Sequence, residues 1–382
     1  MTHWCPLPFK HVFLEPRGVK PCCSYTQTYA GKITEWLVSD DLAELQQQTL
    51  NGVVPAGCKY CVNAEERDGT GTRLGALQQY GTEQYKHTDI NYIDYRSSNI
   101  CNFRCRSCEP FFSNRIAKET RKHPELLNYY LGDASAFKLP DGKIAPTTTD
   151  DKQWVLDNLH KLDRLMFTGG EPTRIPEVRE IIQHIVDQQL DTVEVIMITN
   201  GSFTDTWWFD ITKQIPRMNW TISIDAVGPA AELIRDGTNW DLVSSNTERL
   251  FSIANSVNIG TVITNLNLYK LGELFDWCNM LEDKYAHLNN GRTHHIEICN
   301  MPENMTPYNW PDTMKPTVLA NLAAISKKHM QPKQQEIVNA LSAGIRRTPF
   351  NPELWHSHLE HNMLLDKVRN QDFLIHTMPL DE

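Results

Sequence analysis

The sequence predicts an α/β protein in three parts. A small cysteine-rich module covers residues 1–88, a parallel α/β sheet or partial barrel covers 89–311, and a helical region covers 312–382. Three observations predict it. Six short apolar runs alternate with amphipathic stretches in the middle of the chain, which is the pattern of parallel strands joined by helical crossovers. Eight of the ten cysteines fall within the first 108 residues. Beyond residue 312 the pattern turns helical, broken by Pro316, Pro332, Pro349 and Pro352.

The N-terminal module is rich in Gly, Pro and Cys. The segment ITEWLVSDDLAELQQQTLNG predicts one helix that starts after Gly31 and stops at Gly52. Cysteine-rich turns flank it, which suits a metal-stapled module better than an independent apolar core. The six β-like runs are INYIDYRSS (90–98), LDRLMFTGG (162–170), VEVIMITNG (193–201), NWTISIDAV (219–227), VNIGTVITN (257–265) and HIEICNM (295–301). Helical segments between them include PEVREIIQHIVDQQL, NTERLFSIANS and LYKLGELFDWCNMLEDKY. Residues 132–150 are expected to form a loop.

Composition narrows the function classes. Of the 382 residues, 40% are apolar and 22% charged, which suits a soluble globule with a sizeable core. The balance of 37 basic against 47 acidic residues, a net −10, argues against a broad phosphate-binding surface and so against a nucleic-acid partner. Local basic patches stay open. No stretch approaches the ~20 apolar residues of a membrane-spanning helix. The start, MTHWCPLPFKHVFLEPRG, lacks the order of a secretory signal, so a cytoplasmic location is expected. In that reducing compartment the cysteines are expected as metal ligands rather than disulfides.

The strongest chemical signal is Cys101-Asn-Phe-Arg-Cys105-Arg-Ser-Cys108, directly after the first of the six runs. Three thiolates can hold three irons of a cubane cluster and leave the fourth iron open to a ligand. A zinc site or unrelated buried cysteines are the plain alternatives. Over residues 90–300 the sequence resembles the radical S-adenosylmethionine (radical SAM) enzymes. The resemblance implies a partial (β/α)6 barrel, a [4Fe-4S] cluster held by Cys101, Cys105 and Cys108, and SAM chelated at the open iron. It also implies reductive cleavage of SAM to methionine and a 5′-deoxyadenosyl radical that abstracts hydrogen from a substrate. The electron would come from a reductant such as flavodoxin or ferredoxin. Family members carry an aromatic residue before the third cysteine; here it is Ser107.

Other positions agree with the resemblance. Gly169-Gly170-Glu171-Pro172 resembles the family's GGEP turn, which contacts the SAM amino group. The glycines let backbone approach a ligand, and a carboxylate can pair with an ammonium. Thr199 and Asn200, before Gly201, end the third run. Ser223 and Asp225 end the fourth, and alternation puts them on one face. Arg235 resembles the arginine that pairs with the methionyl carboxylate. Residues 262–265 and 299–302 end the fifth and sixth runs and are expected beside the adenine. All lie at the carboxyl ends of strands, where parallel sheets place their sites.

The remaining N-terminal cysteines are Cys5, Cys22, Cys23, Cys58 and Cys61, the last two forming a CxxC hook. They can supply a Cys₄ site for zinc or for a second, auxiliary iron–sulfur cluster. Adjacent side chains point apart in extended backbone, so one of Cys22 and Cys23 is expected to face away. The set resembles the first part of a SPASM/twitch auxiliary-cluster module, here preceding the barrel. The later SPASM cysteines are missing, with Arg67 and Gly71 standing after Cys61, which implies one auxiliary cluster, expected as [4Fe-4S]. Relatives with such modules often modify peptides or proteins, so a peptide is the leading substrate class. A carbohydrate, nucleoside or other small metabolite is the alternative, and a non-catalytic electron carrier or zinc-stapled binding module is the alternative of another kind. Cys278 is expected in the core, and the WWF segment of 206–210 in core packing. His356, His358 and His361 are expected on a solvated helix face.

Overall fold

The computed structural model describes residues 3–68, 71–130, 149–288, 291–328 and 330–377. Eight strands form one mixed sheet in the order β2-β1-β3-β4-β5-β6-β7-β8. These are β1 His11–Glu15, β2 Gly18–Lys20, β3 Tyr92–Tyr95, β4 Arg164–Phe167, β5 Glu194–Thr199, β6 Met218–Ser223, β7 Ser256–Ile263 and β8 Gly291–Ile298. The last six correspond to the six apolar runs. The chain divides into two compact units.

The first unit is drawn from residues 1–98, 145–197 and 214–218. Its strands β1, β3, β4 and β5 pair in parallel, and β2 pairs antiparallel with β1. Strands β1 and β2 were not expected, because the short run HVFL ends at the charge of Glu15. In the structure all five residues of β1 are buried. Glu15 is neutralised by Lys20 at 3.2 Å and accepts a hydrogen bond from Thr28 Oγ1 at 3.2 Å. The single helix expected between Gly31 and Gly52 is two, Ile33–Trp36 and Asp40–Leu50. Ser39 separates them: its Oγ accepts from Leu42 N at 3.2 Å and so starts the second helix as an N-cap.

The second unit is drawn from residues 99–144, 198–213 and 219–382, and its strands β6, β7 and β8 are parallel. Alternate residues of β6 and β7 are fully buried, Met218, Trp220 and Ile222 then Val257, Ile259, Thr261 and Ile263. The chain ends in helices Lys315–Ile325, Pro332–Arg347, Pro352–Arg369 and Phe373–Thr377. Pro316, Pro332 and Pro352 stand in the first turns of three of them, where a missing N–H costs nothing. Of the loop expected at 132–150, residues 132–148 lie outside the described residues, and Thr149 already opens a helix. Among the described residues no helix is long and apolar enough to cross a membrane.

Candidate functional site

In the second unit, residues 101–108 form a loop fixed by its backbone on one side and a helix on the other. Arg104 N donates to Asp236 O at 2.7 Å and Arg106 N to Ile234 O at 2.8 Å, so Cys105 and Arg235 are flanked by the same pair of bonds. Gly237 continues the partner segment at φ +108°, and a Cβ there would meet Asn102 O at 2.8 Å. Only glycine allows that approach. On the other side, Cys101 N donates to Asn114 Oδ1 at 3.0 Å and Ser113 Oγ to Phe103 O at 2.7 Å, which ties the loop to helix Asn114–Lys122.

The three thiols of the loop interact with one another. Burial raises the Cys108 thiol, and the nearby Cys105 and Cys101 raise it further. Burial likewise raises Cys105, while the Arg235 guanidinium beside it acts in the opposite sense. Two buried thiols with a third acting on them resist ionising together unless a cation joins them, and an iron–sulfur core supplies that charge. The donor set therefore fits such a group. Arg235 donates from Nη1 to Asp225 Oδ2 at 2.9 Å, and its Nε is buried without a partner among the described residues. An orphaned guanidinium nitrogen beside three thiols fits an anionic ligand group.

Asp225 is committed within the protein. Its Oδ2 takes Arg235, its Oδ1 accepts from Val262 N at 2.9 Å, and its backbone carbonyl accepts from Asn267 Nδ2 at 2.9 Å. The ion pair lies in a nearly closed setting, with Asp225 4% and Arg235 17% exposed at the side chain. Ser223 ends β6 half-buried, in register with Gly260. Asn200 lies against the cysteine loop: its Nδ2 donates to Asn102 Oδ1 at 3.0 Å, and Asn102 Nδ2 donates to Ser202 Oγ at 2.8 Å. Ser202 Oγ donates back to Asn200 Oδ1 at 2.6 Å, which closes a ring of three side chains. Thr199 Oγ1 accepts from Gly201 N at 3.1 Å and shapes that turn. Cys299 is buried near Asp225 and donates to Met301 O at 3.3 Å.

In the first unit, Gly169 and Gly170 both take positive φ, +76° and +48°. A Cβ on Gly169 would lie 2.1 Å from Arg96 Cγ, so the turn needs glycine for space as well as for angle. Glu171 is buried and caps the short turn Pro172–Arg174, its Oε1 accepting from Thr173 N at 3.1 Å and Thr173 Oγ1 at 2.6 Å. At the ends of β3 and β4, Ser97 Oγ and Thr168 Oγ1 are buried without a partner among the described residues.

The N-terminal cysteines divide. Burial pushes the Cys5 thiol up to about 12, with Cys58 and Cys61 adding to it, and pushes Cys58 up to about 11, with Cys61 adding. Cys22 is raised well above its ordinary value by burial and then by the adjacent Cys23, with Cys5 and Cys58 also adding. Cys23 is exposed, bonded weakly to Ser24 and influenced by Asp94 and Arg96 instead. Cys61 Sγ accepts from Arg73 N at 3.4 Å, and Arg73 is locked to Glu65 by Nε–Oε1 at 2.9 Å. Cys5, Cys22, Cys58 and Cys61 thus lie near enough to act on one another's ionisation, and as neutral thiols they are a donor set that a cation could deprotonate and join. Among the described residues no three His, Cys, Asp or Glu side chains are grouped so as to hold a single metal ion.

The histidine expectation is overturned. His358 and His361 are buried, at 0% and 1% exposure, because helix Pro352–Arg369 packs that face on Tyr129, Tyr130 and Phe373. Only His356 is solvated, paired with Glu360 at 3.0 Å. Cys278 is fully buried, as are Trp208 and Phe209. Sequence reasoning missed the arginines around the second cysteine. Arg106 is buried and donates to Asn362 O and Oδ1 and to Gln371 Oε1, and it pairs with Asp366. Arg369 donates to Arg104 O at 2.8 Å and pairs with Glu119 at 2.6 Å. The C-terminal helix therefore holds the cysteine loop. Two arginines flanking Cys105 was the available signal.

No family model matches the chain, and no curated protein matches it. Similar solved structures include native anSMEcpe with bound AdoMet and Cp18Cys peptide, at 13% identity and TM-score 0.40 over 62% of this chain and 58% of that one. Streptococcus suis SuiB bound to precursor peptide SuiA matches at 11% identity and TM-score 0.37 over 77% and 73% of the two chains. TYW1 with a lysine-pyruvate adduct bound matches at 14% identity and TM-score 0.31 over 76% and 90%. The match thus spans less than two thirds of the anSMEcpe chain. These are distant likenesses, and the site is built from the chain's own residues.

Proposed function

We propose that the chain is a radical SAM enzyme. The observation that carries this is the loop of Cys101, Cys105 and Cys108, whose thiols act on one another beside Arg235, with Arg235 Nε buried and without a partner among the described residues. Cys101, Cys105 and Cys108 would hold a [4Fe-4S] cluster. When bound, the cluster supplies one electron to SAM, whose carbon–sulfur bond breaks to give methionine and a 5′-deoxyadenosyl radical that takes hydrogen from the substrate. Arg235 would pair with the SAM carboxylate, and Asp225, bonded to its Nη1, would act as a positioning residue that aims the guanidinium. Glu171, set by the Gly169-Gly170 turn, is assigned to the SAM ammonium by its likeness to the family's GGEP turn. Asn200, tied to Asn102, keeps the loop in register, and Thr199 and Ser223 stand at the ends of β5 and β6 where SAM binds.

Cys5, Cys22, Cys58 and Cys61 would ligate the auxiliary cluster, with Cys23 outside it. Four protein ligands leave no open iron, so the second cluster suits electron transfer or structural support rather than chelation. The peptide reading of the substrate rests on the resemblance of this module to those of peptide-modifying relatives, which is an analogy of fold and not of site.

The test is anaerobic reconstitution followed by iron and sulfide quantitation and reduction in the presence of SAM. About eight irons per chain and release of 5′-deoxyadenosine are expected for two four-iron clusters. Replacing Cys101, Cys105 and Cys108 together by alanine should leave about four irons and no 5′-deoxyadenosine. Full iron content in that variant overturns the assignment.

A further inference from the structure

In a chain of net charge −10, one helix carries a basic face. On helix Asn114–Lys122, Arg115, Lys118 and Lys122 recur at intervals of three and four residues, so they share one side, and all three are exposed. With Arg104 and His123 they line an open cleft of about 440 Å³. The single carboxylate in that lining, Glu119, is buried and already engaged by Arg104 at 2.9 Å and Arg369 at 2.6 Å. Among the described residues neither Lys118 nor Lys122 has an ion-pair partner, so their charges project into solvent. The position matters as much as the charge. This helix is bonded to residues 101, 102 and 103 in turn: Asn114 accepts from Cys101 N, Arg115 Nη1 donates to Asn102 O at 2.9 Å, and Ser113 donates to Phe103 O. The basic face is the outer wall of the three-cysteine loop.

We infer that this face is the docking surface for a small acidic one-electron carrier protein that reduces the cluster of that loop. The inference rests on the radical SAM reading and names the partner that reading requires. One electron leaves the carrier, which is oxidised by one electron, and enters the cluster held by Cys101, Cys105 and Cys108; no bond or proton moves. Unpaired lysines on flexible stems suit a transient encounter, in which complementary charge steers association and little area is buried. Because the chain as a whole carries a net −10, a face of this sign is where an acidic carrier meets complementary charge.

The experiment uses the reconstituted full chain and reduced flavodoxin as the probe, with Lys118→Glu/Lys122→Glu as the variant. Arg115 is left unchanged because it holds the cysteine loop. Flavodoxin affinity should fall about tenfold or more in the variant at low salt, and the gap should close at ~1 M salt, where the Debye length is ~3 Å. Lys118→Gln/Lys122→Gln should lie between. Release of 5′-deoxyadenosine driven by flavodoxin should fall in parallel, while release driven by dithionite stays at the parent's rate. Equal flavodoxin affinity in parent and charge-reversed variant at low salt overturns the docking surface. So does an RNA oligonucleotide that binds the face more tightly than flavodoxin and is lost with the two lysines. No 5′-deoxyadenosine from the iron-replete parent with dithionite overturns the radical SAM reading instead, and the affinity comparison still judges the face.

Discussion

Cys105 and Arg235 are held side by side by two backbone hydrogen bonds, Arg104 N to Asp236 O and Arg106 N to Ile234 O. The guanidinium consequently belongs to the cysteine loop as much as to its own segment, and its charge acts on the Cys105 thiol. Arg235→Lys should keep the positive charge but lose the planar fork that bonds Asp225 and a ligand carboxylate at once. Loss of one charge-assisted bond of about 1.5–3 kcal/mol predicts SAM binding weaker by about tenfold to hundredfold. Iron content should not change. Equilibrium binding of SAM to the oxidised, reconstituted protein checks this, and an unaltered affinity would remove Arg235 from the SAM site.

Glu171→Gln should keep both clusters yet weaken SAM, because the amide preserves the acceptor for Thr173 N while removing the charge. Aspartate at the same position would shorten the side chain and disturb the cap itself. SAM affinity measured beside iron content separates the two effects. A glutamine variant that binds SAM like the parent would argue that Glu171 serves only the Pro172–Arg174 turn.

The separation of Cys22 from Cys23 gives a paired test. Cys22→Ala should remove the auxiliary cluster and lower stability, since a metal site's binding energy is also folding energy. Cys23→Ala should retain it, because that thiol is exposed and contacts Ser24, with Asp94 and Arg96 acting on it and neither Cys5 nor Cys58 among the groups that shift it. Cys58→Ala with Cys61→Ala should behave as Cys22→Ala does. The Cys22→Ala and Cys58→Ala/Cys61→Ala variants, where they remain folded, should still release 5′-deoxyadenosine slowly without turning over their substrate. Loss of iron from Cys23→Ala alone would reverse the assignment.

Much of this arrangement was legible in the sequence, for physical reasons that differ by element. The six central strands announced themselves because parallel strands are short apolar runs bounded by turn residues, and LDRLMFTGG or VEVIMITNG leave little else to be. Strand β1 did not, since Glu15 looks solvated until Lys20 and Thr28 are seen beside it. The CxxxCxxC spacing exposed the loop, but its support by Arg106, Asp366 and Arg369 spans about 260 residues and has no local signature. The choice between Cys22 and Cys23 was likewise invisible, because it depends on which way one peptide turns. His358 and His361 were misplaced for a related reason. A helix with charged and histidine residues on several sides shows no clear apolar stripe, and only the packing of Tyr129 and Phe373 reveals which side is covered.

Arg106 is the buried member of a pair with Asp366, with none of its side chain exposed. Breaking a buried pair leaves an uncompensated charge, which costs more than the pair contributes when intact. Asp366→Ala should therefore destabilise the protein by about 3–5 kcal/mol, and a double variant with Arg106→Met should recover part of that loss. Denaturant unfolding of both variants at matched iron content measures it. If Asp366→Ala unfolds at the parent's midpoint, Asn362 and Gln371 alone satisfy the guanidinium.

The buried histidines set a pH limit. Burial lowers His358 and His361 to about 3, with Arg106 and, for His361, Arg369 and His358 acting in the same direction. An unfolded chain returns both to about 6.5, so between those values the unfolded state binds more protons than the folded one. Their contribution to stability is complete above about pH 6.5 and is lost progressively as pH falls toward about 3. His361 isolates the effect. Both its ring nitrogens are buried without a partner among the described residues, and its ring stacks on Tyr129 with centroids 4.9 Å apart. His361→Phe keeps a flat ring in that slot and removes the proton site, so it should match or exceed the parent's stability at pH 7.5 and lose less of it at pH 5.5. Denaturant midpoints at the two pH values, compared at equal iron content so that acid loss of clusters cancels, give the slope directly. A variant whose midpoint falls as far as the parent's between those pH values would show that His361 takes up no proton on unfolding.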